Sequence, residues 1–153
     1  MITQTLQPFS NTTDEPPLYF MGVPTYLRAT GQATRGGFGL VDSVLPPGFE
    51  SPYHTHHLED EAFYVVAGHM AFVCDGHWTM AGPGSFVFGP RNIPHGFKVV
   101  GDAPAHMLLL CTPGGFEQFV ATTATQHGFV YGLITAFMAL MTGWMASIVF
   151  RKD

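Results

Sequence analysis

The chain has 153 residues, the length of one domain. Apolar residues make up 46% and include 14 Phe, ample for a core, while charged residues are only 11% against a usual quarter. Net charge is −5 and no basic cluster exists, which disfavours nucleic acid as a partner.

The elements are expected as follows. Residues 1–17 are polar, end in Pro16-Pro17 and read as a flexible arm. They lack a basic stretch followed by an apolar core, so no secretory signal is expected there. Tyr19 to Ala29 reads as a first strand, Thr34 to Gly37 as a turn and Phe38 to Leu45 as a second strand. Pro46-Pro47-Gly48 breaks that strand. The run from Glu61 to Val66, EAFYVV, is strongly β-prone and ends at Ala67-Gly68. His69 to Cys74 and His77 to Met80 flank Asp75-Gly76, a tight-hairpin signal. Ala81 to Gly84 is a further turn, and strands follow at Ser85 to Phe88, His95 to Val100 and Ala105 to Cys111. Phe116 to Ala121 opens a helix. Eight to ten short strands between turns define an all-β sandwich or barrel. Cys74 and Cys111 lie in apolar runs and read as buried free thiols.

Gly128 to Phe150 is different. It carries no charge over 23 positions, is apolar all round, and is closed by Arg151-Lys152-Asp153. A bilayer core takes about 20 apolar residues as a helix, so a transmembrane or membrane-associated helix is expected over 128–150. Gly132 with Ala136, and Ala139 with Gly143, form small-xxx-small pairs suited to helix packing. A buried helix at a dimer interface is the competing reading. The orientation cues conflict: without a signal the domain stays cytosolic, yet Arg151-Lys152 prefer that same side. The cytosolic placement is the one adopted.

The chemistry lies in two segments. GFESPYHTHHLEDEAFYVVAG places Gly48, His54, His56, Glu61 and Gly68 at fixed spacing. GSFVFGPRNIPHGF places Gly84, Pro90 and His95 about thirty residues on. Alternate residues of an extended strand share a face, so His54 and His56 point the same way. Three imidazoles and a carboxylate suit Fe, Mn, Co, Ni, Cu or Zn. Glu59 is a fallback ligand on the face of Glu61, and Asp60 reads as solvated or outside the ligand shell. His57, His69, His77, His106 and His127 read as ordinary core or surface side chains.

These segments resemble the two cupin motifs, in a sequence similar to quercetin-dioxygenase-like single-domain cupins. The match runs from about residue 18 to 120 and includes TPGGFEQF, Thr112 to Phe119. It departs at Asn92, where the family prefers Gly, and at Val99, where it often has Asn. Asn tolerates left-handed backbone, so the turn at Asn92 is expected to survive. The resemblance implies a cupin jelly-roll barrel over residues 18–122. It also implies one divalent transition metal (Fe, Mn, Ni, Co or Cu) on His54, His56, Glu61 and His95, with two positions open.

The walls should be apolar, drawn from Phe63, Tyr64, Phe72, Phe86, Phe88, Phe97 and Met107. The activity implied is oxidative cleavage, with O2, of a flavonol-like or other enolisable small substrate, with Glu61 as general base. The alternative is a non-catalytic module that holds a small ligand or metal beside a membrane or partner. The resemblance also admits a homodimer, because related cupins commonly pair through their sheets.

Overall fold

The computed structural model describes residues 7–11 and 15–124. Among the described residues nine strands are followed by one helix: β1 (Leu18–Phe20), β2 (Val23–Ala29), β3 (Gly39–Leu45), β4 (Asp60–Ala67), β5 (Met70–Cys74), β6 (His77–Ala81), β7 (Phe86–Gly89), β8 (His95–Val99), β9 (Ala105–Thr112) and α1 (Phe116–Thr123). A six-stranded sheet has the order β1-β2-β3-β9-β4-β7, and a three-stranded sheet has the order β6-β5-β8. All pairs are antiparallel.

Strands β4 and β9 show why the core forms. Their side chains alternate between buried and open, as one-sided strands must. Glu61, Phe63 and Val65 of β4 point inward, as do Met107, Leu109 and Cys111 of β9. All of these but Glu61 join Val41, Leu45, Met70, Phe72 and Val99 in one apolar core between the sheets.

Asp75-Gly76 forms the expected turn, with φ of 48° and 77°, the left-handed pair a two-residue hairpin needs. A second such hairpin divides the expected first strand. Met21 and Gly22 have φ of 52° and 76°, and Phe20 pairs with Val23 across them. Met is a poor residue for that conformation, so the composition of the segment conceals the turn.

Among the described residues, no helix is long and apolar enough to cross a membrane. The helix expected over 128–150 lies outside the described residues. The described parts of the arm hold no helix or strand before β1, and Asn11 Nδ2 donates to the Arg28 carbonyl at 2.7 Å. Cys74 and Cys111 are both free; Cys111 is buried and Cys74 half-buried.

Candidate metal centre

Glu61 comes from the start of β4 and His95 from the start of β8. His54 and His56 come from the segment before β4. That segment is not the regular strand expected. Of the two histidines His54 alone pairs, in an isolated bridge with His95 through hydrogen bonds of 2.9 and 2.8 Å. The bridge still brings both imidazoles to one side.

The four side chains can offer ligand atoms that all lie within 4.8 Å of one another. His54 Nε2 is 2.9 Å from His56 Nε2, His56 Nε2 is 3.2 Å from Glu61 Oε1, and His95 Nε2 is 2.9 Å from Glu61 Oε2. Neighbouring donors on an octahedral ion with ~2.1 Å bonds stand about 3 Å apart, so the set fits a small divalent cation.

The outer ring nitrogens support the same assignment. His54 Nδ1 faces the Pro52 carbonyl at 2.7 Å, and His95 Nδ1 faces the Ile93 carbonyl at 2.8 Å. A carbonyl only accepts, so each Nδ1 carries the proton and each Nε2 turns a lone pair toward the cluster. His56 has a carboxylate instead: Glu59 Oε2 lies 3.6 Å from its Nδ1.

Burial pushes the Glu61 carboxyl up, but its close contacts with the His56 and His95 imidazoles outweigh it and hold the group at about 2. Its hydrogen bond to Glu61 raises the His56 imidazole, whereas burial lowers that of His54. The buried Cys111 thiol, 3.7 Å from Glu61 Oε1, is pushed up by desolvation and then by the nearby carboxylates.

The β7–β8 loop steadies this segment. Asn92 has φ of 64°, so the expected left-handed turn is present without Gly. Its N–H donates to the His56 carbonyl at 2.7 Å, and its Oδ1 meets His57 Nδ1 at 3.0 Å. Arg91 grips Asp60 with Nη2 at 2.7 Å and its backbone N–H at 2.8 Å. These bonds hold the Asp60 carboxyl down at about 2 and place the residue outside the cluster. His57 is exposed, and His106 lies on the outer face beside Asp42 Oδ1 at 2.7 Å.

A cavity of about 370 Å³ opens from the cluster. Of the seven wall residues expected, Phe97 and Met107 line it. Phe63 and Phe72 are buried in the core behind it. Tyr64, Phe86 and Phe88 lie on the outer face of the large sheet, exposed by 45%, 65% and 52%. Register decides this: with Glu61 inward, Tyr64 must turn outward, and Tyr64 pairs with Phe86 as Ala62 pairs with Phe88.

The remaining wall comes from residues that composition did not mark. Phe20, Phe116 and Phe119 form an aromatic group with ring centroids 5.9–6.1 Å apart. Phe116 also meets His56 edge-on at 5.6 Å. Helix α1 is anchored by Glu117, which is 1% exposed. Its Oε1 accepts from Gly31 N–H at 2.6 Å and its Oε2 from Gly115 N–H at 2.9 Å. Gly39 and Gly31 leave the space this carboxylate occupies: a Cβ at Gly39 would overlap it, and one at Gly31 would lie 3.0 Å from it.

The fold and the cluster define a cupin. Residues 41–111 match the family model described as "Cupin domain", and the chain belongs to the cupin superfamily. A second model, described as "Putative transmembrane protein", matches residues 98–152.

The chain is 32% identical over 99 residues to quercetin 2,3-dioxygenase of Bacillus subtilis, covering 65% of this chain and 29% of that protein. It is 36% identical over 67 residues to dimethylsulfoniopropionate lyase DddQ of Ruegeria pomeroyi, covering 43% of this chain and 32% of that one. It thus spans less than a third of either relative. Among solved structures, an RmlC-like cupin from Shewanella frigidimarina superposes with TM-score 0.62 at 17% identity, over 74% of this chain and 96% of that one. At that identity the likeness shows the fold alone.

Proposed function

We propose that this cupin is a metal-dependent dioxygenase of the quercetinase kind, acting on an enolisable, largely apolar small molecule. The observation that carries the reading is the convergence of three Nε2 atoms and the Glu61 carboxylate at the wall of an apolar cavity. His54, His56, Glu61 and His95 would hold one divalent transition metal (Fe, Mn, Ni, Co or Cu). When bound, the metal supplies Lewis acidity and a template for a substrate oxygen.

The chain's own residues do the rest. The carbonyls of Pro52 and Ile93 orient His54 and His95. Phe20, Phe116 and Phe119 close the aromatic side of the cavity and exclude water. Glu61 is the general base: its carboxylate is ionised at neutral pH and stands in the cavity wall. Proton transfer to a carboxylate requires an acidic substrate C–H or O–H, which an enolisable or phenolic compound supplies.

Oxygen-electrode traces with quercetin and the metal-loaded full chain test the reading. It predicts O2 uptake stoichiometric with quercetin loss and abolished in Glu61→Gln. Quercetin binding without either change contradicts it.

A second reading keeps the cavity without turnover: a small-ligand-binding cupin held at a membrane, its domain on the cytosolic side. The charge-free run 128–150 and the transmembrane-family match over 98–152 favour the anchor. A homodimer through the outer sheet face, where Phe86 and Phe88 are exposed, is compatible with either reading.

A further inference from the structure

Two hydroxyls stand in the cavity wall away from the imidazoles. Thr25 on β2 and Ser43 on β3 pair across the ladder, line the cavity, and are 1% and 7% exposed. They belong to the inward row Thr25, Ser43, Met107 and Val65, whereas Glu61 belongs to the row with Cys111 and Gly39. Val65 is four residues from Glu61 on β4, which separates the rows by about 13 Å along the strands. Between them lies the apolar row Val41, Leu109 and Phe63.

The protons of this pair can be counted. Thr25 Oγ1 donates its one proton to the Val23 carbonyl at 3.0 Å. The 3.2 Å contact between Thr25 Oγ1 and Ser43 Oγ is therefore made with the serine's proton. Both donors are then used. Ser43 keeps two acceptor lone pairs and Thr25 one. Acceptors left bare in an apolar wall cost free energy until a donor meets them. The carboxylates lining the cavity, Glu59 and Glu61, are both at the metal end, so a cationic donor at the hydroxyl end would be unpaired. A neutral hydroxyl is the group that fits.

We infer that the cavity takes an elongated, mostly apolar molecule with polar groups at its two ends. Chelating oxygens meet the imidazole cluster, and a single distal hydroxyl donates to Ser43 beside Thr25. The chelating half rests on the metal-centre reading; the distal half does not. Ser43 is thus a specificity residue for ligand length and for the donor at the far end.

Calorimetric titration under argon tests this, using 4-phenylcatechol and 4-(4-hydroxyphenyl)catechol as probes. The full chain is titrated in metal-loaded and metal-stripped forms, with Ser43→Ala and Ser43→Thr as variants. Wild type is expected to bind the hydroxylated probe roughly 5- to 10-fold tighter in both forms, the worth of one buried hydrogen bond. Ser43→Ala should reduce that ratio to within ~2-fold at unchanged metal content, and Ser43→Thr should restore it. Equal affinities in wild type, a preference that survives in Ser43→Ala, or no binding of either probe would overturn the inference. If stripping the metal changes neither affinity while the preference persists, the distal subsite is supported and the metal-centre reading fails.

Discussion

Truncating Glu117 should unfold the α1 side of the cavity first, and the cost can be worked from its contacts. Glu117→Ala removes the acceptor for Gly31 N–H at 2.6 Å and Gly115 N–H at 2.9 Å. Each N–H left bare costs about 1–3 kcal/mol, so the two together cost about 2–6 kcal/mol, with the part-buried Gly115 bond favouring a middle value of about 3–4 kcal/mol. In a chain of this size that lowers Tm by roughly 10 °C.

Gly39→Ala should also destabilise, by about 1–3 kcal/mol, because its new Cβ would overlap the Glu117 carboxylate. In the double variant the carboxylate is gone and the overlap with it. The combined cost should therefore fall short of the sum by at least ~1 kcal/mol. Thermal unfolding of the full chain, followed by far-UV circular dichroism, reads all four proteins. A Glu117→Ala Tm within about 3 °C of wild type, or strict additivity with Gly39→Ala, would refute the reasoning.

Metal occupancy should fall as pH falls, because protonated imidazole is not a ligand. His56, raised by its hydrogen bond to Glu61, takes up its proton first on acidification, and His54, lowered by burial, takes it up later. Metal content after dialysis at pH 8, 6.5 and 5 should decline in that order, and a rise would contradict the assignment. Asp60→Asn should lower Tm slightly near pH 6. The folded Asp60 carboxyl sits at about 2, below its unfolded value. The stability it contributes is present above the unfolded value and lost as pH falls toward 2. The Tm difference between wild type and Asp60→Asn should therefore shrink between pH 6 and pH 3, and a difference that widens would be wrong for this ion pair.

Part of the His/Glu cluster was legible because it is local. His54 and His56 alternate, so a locally extended chain turns both to one side, whereas Glu61 and His95 were marked by their places in the two motifs. The Asp75-Gly76 hairpin and the left-handed Asn92 were legible for a related reason: each conformation follows from the residue that adopts it.

The cavity wall needed information that composition lacks. Phe86 and Phe88 are as apolar as Phe97, yet they face outward because β7 pairs in register with Tyr64 and Ala62 of β4. Once Glu61 points inward, the parity of β4 follows, and Tyr64 could have been assigned outward from that alone. Glu117 was hidden by distance, since its partner Gly31 is 86 residues away in the chain. Its signal was a carboxylate two residues after Gly114-Gly115, where the backbone packs closely. Thr25 and Ser43 look like ordinary strand residues until β2 and β3 are paired.

Metal content by mass spectrometry tests the account most directly, on the untagged full chain and its His56→Ala variant prepared identically. The account predicts about one Fe, Mn, Ni, Co or Cu per wild-type chain, and a large loss in the variant, because His56 Nε2 lies within 3.2 Å of both His54 Nε2 and Glu61 Oε1. A wild type that carries no metal and takes up none when it is added would contradict it.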